Sequence, residues 1–154
     1  MHGQHSMLPQ GPSGIAVRNH RIRAYEETAF RYLLTIERER CRRSGRPFLL
    51  LLVDVEAPSG VSVPWDPRLA RKLFWSLSRC LRETDFSGWY LDQRVAGAVL
   101  TELGDELRAD VTDVVAARVG GALRAALPPS MTGRLRVRLS LNPEPLSGGL
   151  ACSS

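Results

Sequence analysis

The sequence predicts an α/β (α+β) domain of the ferredoxin-like βαββαβ type, with one extra helix at its N-terminal side. Three observations predict this fold. A continuous apolar strand at 48–55 leads into an amphipathic helix, a short hairpin follows at 86–101, and a further helix leads into an alternating strand at 135–141. The chain has 154 residues, which is enough for one domain with a substantial core.

The composition is that of an ordinary globular protein, with 44% hydrophobic and 24% charged residues. The longest apolar run, 48–53, is too short to cross a membrane, and the N-terminus lacks the apolar region of a signal peptide. The three cysteines are too widely spaced for a disulfide framework or a metal site: Cys41, Cys80 and Cys152. This cysteine usage suits a reducing compartment, so we expect a cytoplasmic protein.

The two ends of the chain differ in composition from its middle. Residues 1–20 are rich in Gly, Pro, Gln, Ser and His without a hydrophobic period, and we expect a flexible N-terminal arm there. Helical periodicity runs from about 24 to 43 and ends at Gly45. We therefore expect the folded domain to span 24–142. The Pro-, Gly- and Ser-rich residues 143–154 predict a loose C-terminal tail.

The remaining elements follow from local signals. The run at 48–55 has no polar alternation, which is typical of a strand covered on both faces. Asp66-Pro67 predicts a helix start, with Asp66 as the N-cap, and the helix reaches about Glu83. Asp92 and Gln93 fill the tight turn of the hairpin.

The last helix and strand are the most regular. The helix at 110–127 is stopped by Pro128-Pro129, and the strand at 135–141 alternates leucine or valine with polar residues. Its polar face carries Arg134, Arg136 and Arg138. We interpret this face as solvated or covered by a partner rather than as a phosphate site.

Several short motifs follow one another between Phe30 and Asn142. In chain order they are Arg43-Ser44-Gly45-Arg46-Pro47 before Leu50-Leu51-Leu52-Val53-Asp54-Val55-Glu56, then Asp66, Arg82-x-x-Asp85, Ala116-Ala117-Arg118-Val119 and Leu139-Ser140-Leu141. In this order and spacing they resemble the GGDEF domains of diguanylate cyclases. The resemblance implies a nucleotide-cyclase fold.

The signature itself does not match. Where the family has Gly-Gly-Asp/Glu-Glu-Phe, this chain has Leu91, Asp92, Gln93, Arg94 and Val95. The family's glycines let substrate phosphates approach the backbone, and Arg94 falls where an acidic metal ligand belongs. The loop at 57–66 also lacks the family's guanine-reading residues. We therefore expect a degenerate GGDEF domain that is not an enzyme and needs no cofactor.

Asp54 and Glu56 form a candidate carboxylate pair for Mg²⁺. They are two residues apart, so both would lie on one side of the strand end. No third ligand is apparent in the sequence. The preferred interpretation is that Asp54 only terminates a buried strand or caps a backbone group.

The Arg82-x-x-Asp85 motif resembles the inhibitory product-binding site of the family, and Arg118 resembles the second arginine of that site. An arginine fork matches the O6 and N7 acceptors of guanine, and a carboxylate matches its N1 and N2 donors. Cyclic di-GMP, which carries two guanines and two phosphates, is therefore the candidate ligand. The simpler alternative is an ion pair between Arg82 and Asp85 within a solvated helix.

These observations leave three functions open. The first is an inactive GGDEF-like regulatory domain that binds cyclic di-GMP or a protein partner. The second is a protein-interaction or homodimerisation domain that binds no nucleotide. The third is a basic RNA-binding domain, which ranks last because its strands lack the aromatic residues that stack on bases: the strand at 134–142 has none and the strand at 47–55 has only Phe48.

Overall fold

The computed structural model describes residues 15–19, 22–101, 103 and 110–142. Six strands form one mixed sheet in the order β1-β2-β4-β5-β3-β6, with helices on both faces. The elements are β1 (Ile15–Asn19), β2 (Ile22–Tyr25), α1 (Glu27–Ser44), β3 (Phe48–Val55), α2 (Pro67–Cys80), β4 (Phe86–Leu91), β5 (Val95–Leu100), α3 (Val111–Ala126), α4 (Pro129–Thr132) and β6 (Leu135–Asn142). Among the described residues, no helix is both long and apolar enough to span a bilayer.

The predicted ferredoxin-like core is confirmed. Strands β3, β4, β5 and β6 alternate with α2 and α3 in the expected βαββαβ order, and all neighbouring pairs among these four strands are antiparallel. Helix α1 is the extra N-terminal helix. The hairpin turn between β4 and β5 holds Asp92 and Gln93, as the sequence predicts, and Gln93 has a positive φ of 58°.

The N-terminal region differs from the prediction. Residues 15–19 form a strand rather than part of an arm, and they pair antiparallel with β2. Strand β2 in turn lies parallel to β4 through Ala24 and Tyr25. Because these two residues belong to a strand, α1 begins at Glu27 and not at residue 24. The rest of the predicted arm and the predicted tail, 143–154, lie outside the described residues.

Strand β3 separates two apolar layers, as its continuous hydrophobic run predicts. Its odd-numbered residues, such as Leu49 and Leu51, pack into the layer formed with α2 and α3. Its even-numbered residues, such as Phe48 and Leu50, pack against Phe30 and other side chains of α1. The result is a three-layer α/β/α arrangement in which β3 is almost fully buried.

The helix ends show which local sequence signals predicted the helix bounds correctly. The side chain of Asp66 accepts a hydrogen bond from the amide of Arg68 at 2.9 Å, so the predicted N-cap is confirmed. Helix α2 ends at Cys80, three residues earlier than predicted. The short α4 begins at Pro129, the second of the prolines that stop α3, and ends before β6, in a stretch for which the sequence predicts no helix.

The pairing of β3 with β6 sets the geometry of one candidate site. The two strands run antiparallel in continuous register from Phe48 opposite Asn142 to Val55 opposite Leu135. This register places Asp54 directly opposite Arg136. The two charged groups of the sequence analysis, a carboxylate pair and an arginine-lined strand face, therefore meet on neighbouring strands.

Candidate functional site

The Arg82-x-x-Asp85 motif forms a turn after α2 and not the last turn of a helix. The backbone leaves the helical conformation at Leu81. The amide of Arg82 donates to the Asp85 carboxylate at 2.8 Å, and the amide of Asp85 donates to the carbonyl of Arg82 at 3.0 Å. An aspartate that accepts from a nearby backbone amide stabilises a turn in place of helix. The expectation of a helical i, i+3 arrangement is therefore wrong.

Asp85 also anchors this turn to the sheet. One carboxylate oxygen accepts from Arg82, and the other accepts from the amide of Thr101 at 2.9 Å, just beyond β5. The hydroxyl of Thr101 donates to the carbonyl of Thr84 at 3.3 Å. The same hydroxyl also lies 3.4 Å from the Asp85 oxygen that accepts from the Thr101 amide. A carboxylate oxygen has two lone pairs, so the oxygen that accepts from Arg82 keeps acceptor capacity for a ligand.

A groove with a volume of about 710 Å³ opens beside this turn. Its walls come from three other elements: Tyr25 of β2, Leu33 of α1 and Phe86 of β4. The rings of Tyr25 and Phe86 meet edge to face, with centroids 6.5 Å apart. Arg82 and Asp85 both line this groove, which we call the turn groove. It combines aromatic walls with a cation and an anion at one end, and its size is typical of small-molecule sites.

Arg118 contacts the C-terminal end of α2, just before the turn that lines the groove. It projects from α3, and its guanidinium donates to the carbonyl of Cys80 at 3.4 Å, at the C-terminal end of α2. A cation there also interacts favourably with the helix dipole. The structure therefore brings Arg82 and Asp85 together in one groove. It holds Arg118 against Cys80, which lies two positions before Arg82 in sequence.

The Asp54 carboxylate lies among guanidinium groups. Asp54 is fully buried, and it accepts from Arg136 at 2.6 and 3.2 Å and from the hydroxyl of Ser62. A guanidinium nitrogen of Arg138 lies 3.5 Å away, and Arg136 also pairs with Glu56 at 3.2 Å. Burial alone would raise the pKa of Asp54. The hydrogen bonds from Arg136 and Ser62, together with the positive charges of Arg136 and Arg138, outweigh burial and lower that pKa.

The candidate metal-binding pair, Asp54 and Glu56, therefore binds the guanidinium group of Arg136. Arg136 bridges Asp54 and Glu56, in the position between two carboxylates that a cation would take. The interpretation of Asp54 as a plain strand terminus is also wrong, since its partners are side chains of β6 and of the following loop. The interpretation of Arg136 as part of a solvated or partner-covered face is also wrong, because Arg136 pairs with Asp54 and Glu56. Within the described residues, no cluster of three or more metal-ligating side chains is present.

The turn at 91–95 is fastened to its surroundings by backbone contacts. The amide of Trp65 donates to the carbonyl of Gln93 at 2.8 Å, and the Trp65 indole donates to the carbonyl of Arg94 at 3.2 Å. On the other side, the amide of Asp92 donates to the Glu27 carboxylate at 2.7 Å. Leu91 and Val95 face each other across the hairpin. The loop and α1 therefore cover the two flanks of this turn.

Arg94 connects the turn to the Asp54 cluster. Its guanidinium donates to the carbonyl of Ser62 at 2.6 Å, and the Ser62 hydroxyl donates to Asp54. A chain of polar contacts thus runs from the hairpin turn through the 57–66 loop to β3. The charged residues of this network could be picked out from the sequence. The register of β3 against β6, which brings Asp54 and Arg136 together, could not.

Comparison with known proteins gives a clear result for the fold. No family model matches the chain, and no curated protein matches it. Among solved structures, a DGC protein from Thermotoga maritima is similar over 82% of this chain and 87% of its own, with a TM-score of 0.60 and 16% identity. The GGDEF domain of DgcB from Caulobacter crescentus, in complex with c-di-GMP, is similar over 92% of this chain and 80% of its own, with a TM-score of 0.52 and 12% identity.

A third structure is the diguanylate cyclase SiaD from Pseudomonas aeruginosa in complex with its activator SiaC, with a TM-score of 0.54 and 17% identity. It is matched over 82% of this chain and 49% of its own, so this chain spans about half of SiaD. These comparisons show that the fold is GGDEF-like, of the nucleotide-cyclase type, which confirms the fold implied by the sequence resemblance.

Proposed function

We propose that this protein is a catalytically inactive GGDEF-like regulatory domain whose turn groove binds cyclic di-GMP. The main observation in support of lost catalysis is the position of the Arg136 guanidinium, which lies between Asp54 and Glu56. A catalytic Mg²⁺ at these carboxylates would have to displace it. A dication about 4 Å from a guanidinium is repelled by roughly 8 kcal/mol at an effective dielectric constant near 20.

The turn at 91–95 supports the same proposal. It has no glycine, so side chains stand where substrate phosphates would approach the backbone. The carbonyls of Gln93 and Arg94 already accept hydrogen bonds from Trp65. Arg94 brings a further positive charge to the Ser62 side of Asp54. This arrangement neutralises the carboxylate with protein cations and leaves it little capacity for a metal ion.

The turn groove supports the ligand part of the proposal. Guanine presents adjacent acceptors to an arginine and adjacent donors to a carboxylate, and Arg82 and Asp85 lie in one groove. The aromatic walls formed by Tyr25 and Phe86 offer surfaces for a flat base. Arg118 lies close by for a phosphate. The similar domain of DgcB is itself a complex with c-di-GMP.

The proposed loss of catalysis predicts no turnover of GTP. Purified protein incubated with GTP and Mg²⁺ is expected to release no cyclic di-GMP above the level of a sample without protein, measured by chromatography. The Asp54→Asn variant, which weakens any metal site, is the matched control and should give the same trace. Product formation by the wild type that disappears in Asp54→Asn would contradict the proposed inactivity.

The proposed ligand is tested by calorimetric titration. Cyclic di-GMP is expected to bind the wild type at micromolar or lower concentration, and Arg82→Ala is expected to weaken binding by about tenfold or more, because a charge-assisted bidentate contact contributes about 1.5–3 kcal/mol. Arg68→Ala, an exposed arginine at the start of α2, is the matched control and should bind like the wild type. GTP serves as the control ligand. Wild-type protein that gives no heat and no thermal shift would refute cyclic di-GMP binding.

A second candidate function is a nucleotide-independent interaction or homodimerisation domain. It is favoured by Tyr32 and Ile36, which lie one turn apart on α1 and are 56% and 38% exposed. Exposed apolar neighbours of this kind are typical of protein contacts. RNA binding has less support, because Arg136 is occupied by Asp54 and Glu56. The same titration separates the first two functions, since only the first requires the nucleotide.

A further inference from the structure

Strand β6 is the terminal strand of the described sheet, and one of its edges, here called the free edge, pairs with no other described strand. All eight of its residues are in register with β3 on one side. Within the described part of the chain, no strand pairs with its other side. At about 3.3 Å per residue, this edge presents roughly 26 Å of backbone donors and acceptors. Long free edges of this kind accept an added strand from another chain.

The side chains of β6 show that its apolar face is incompletely covered. Leu135, Val137, Leu139 and Leu141 pack against the core, yet each of them is only partly buried. By contrast, every residue of β5 is buried. A neighbouring strand with apolar residues at alternate positions would cover the remaining surface of this row.

The opposite face of the same edge is cationic. Arg138 has 51% of its side chain exposed, and Arg134, just before the strand, is exposed as well. Arg136 lies between them and is neutralised by Asp54 and Glu56. Arg138 makes only a 3.5 Å contact with Asp54, which is already engaged by Arg136 and Ser62. The face therefore carries uncompensated positive charge along the free edge.

A second copy of β6 leaves the positive charge of this edge uncompensated. Side chains alternate between faces, so any antiparallel register that places the two apolar rows on one face also places both arginine rows on the other. Such a pairing adds positive charge to this face and supplies no carboxylate. The complementary partner has apolar residues on one face and carboxylates on the other.

We propose that the free edge of β6 binds an extended protein segment in which acidic and apolar residues alternate, by adding it to the sheet as a seventh strand. Backbone hydrogen bonds supply the pairing. The partly buried leucine row selects apolar residues at alternate positions, and Arg134 and Arg138 select the acidic ones. This surface is separate from the turn groove, which lies at the other end of the sheet order, beside β4 and β2.

The test uses a fluorescein-labelled ten-residue peptide of alternating glutamate and valine, with blocked ends, and measures fluorescence polarisation with the full chain. Saturable binding is expected. The same peptide with N-methyl groups on all of its backbone nitrogens keeps its charge but loses strand pairing along both edges, so its affinity is expected to fall by about tenfold or more. Equal binding of both peptides would mean attraction by charge alone and would overturn the proposal, as would the absence of saturable binding.

Protein variants test the arginine face. Arg134→Gln/Arg138→Gln is expected to weaken peptide binding by about tenfold, while Arg68→Gln/Arg71→Gln removes the same charge from the exposed side of α2 and should change it by less than about twofold. The single variant Arg134→Gln leaves the Asp54 contacts intact and should give an intermediate loss if the double variant folds poorly. A single-stranded RNA of equal charge that binds more tightly than the peptide would overturn the proposal in favour of a nucleic-acid surface.

Discussion

Replacing Arg136 with leucine is expected to destabilise the domain by about 3 kcal/mol, at the lower end of the range for removing the cation from a buried carboxylate. Asp54 is inaccessible to solvent and would keep only Ser62 and the more distant Arg138 as partners. The free energy of unfolding, measured by urea denaturation at pH 7, gives the size of the effect. The slope of the denaturation curve should stay unchanged if the variant keeps the native fold.

The reverse substitution should cost less. In Asp54→Leu the guanidinium groups of Arg136 and Arg138 lose a partner, but 34% and 51% of their side chains are already exposed, so both can be hydrated. The double variant Asp54→Leu/Arg136→Leu should be more stable than Arg136→Leu alone, because no unpaired buried charge remains. Equal losses in the two single variants would show that the burial of Asp54 does not determine the energetics of this pair.

The pH dependence of this pair has a definite sign. In the wild type the folded-state pKa of Asp54 is lowered, so its contribution to stability is complete above the unfolded-state value of about 3.9 and is lost as the pH falls through the lower folded-state pKa. Without Arg136 the pKa of Asp54 is expected to rise, because burial still raises it while the hydrogen bonds and charge of Arg136 no longer lower it. The destabilisation caused by Arg136→Leu should therefore be smaller near pH 4 than at pH 7.

Gly88→Ala is expected to separate the N-terminal hairpin from the sheet. A Cβ atom at Gly88 would lie 2.5 Å from the carbonyl oxygen of Tyr25 and 2.8 Å from its nitrogen, and neither backbone atom can move without shifting β2. Overpacking of this kind costs about 1–3 kcal/mol. Since β2 meets the sheet through only Ala24 and Tyr25, we expect hydrogen exchange at 22–25 to accelerate.

The displacement of β2 in Gly88→Ala should also disturb the turn groove, because Tyr25 forms one wall of that groove. Cyclic di-GMP affinity is therefore expected to fall together with the exchange protection. Gly121→Ala is the matched control: it lies inside α3, no atom is within 4 Å of the added Cβ, and the helix should gain about 0.5–1 kcal/mol. Wild-type exchange protection at 22–25 in Gly88→Ala would contradict the proposed close approach of the two strands.

Long elements with one strong pattern were predictable from the sequence. The uninterrupted apolar run gave β3 its observed bounds, Phe48–Val55, and the alternation of leucine with arginine located β6. The Asp66-Pro67 signal gave the start of α2 because its capping interaction is local. Each of these elements is specified by contacts between residues that are close in sequence or by a regular pattern of buried residues.

The elements that the sequence did not predict depend on distant partners. Strands β1 and β2 have five and four residues, too few for a clear period, and β2 exists as part of the sheet through its pairing with β4. The end of α2 depends on the Asp85 side chain, which accepts from the amide of Arg82 and from that of Thr101. Propensity in a single segment does not contain this information.

The candidate site was predictable in part. Arg82 and Asp85 are close in sequence, so their common location in one groove was expected although their backbone conformation was not. The partner of Asp54 could not be identified, because it depends on the register of β3 against β6 and one residue of slippage would move Arg136 to the other face. The alternating arginines on the last strand were the available signal, and from the sequence they were interpreted as a solvated or partner-covered face.

The pairing of β3 with β6 also has a kinetic consequence. The two strands join parts of the chain about eighty or more residues apart, with α2, the β4–β5 hairpin and α3 between them. Closing so long a loop is slow, and it becomes favourable only when the intervening elements are already assembled. We therefore expect the bond between Asp54 and Arg136 to form late in folding, so that its loss would mainly increase the rate of unfolding.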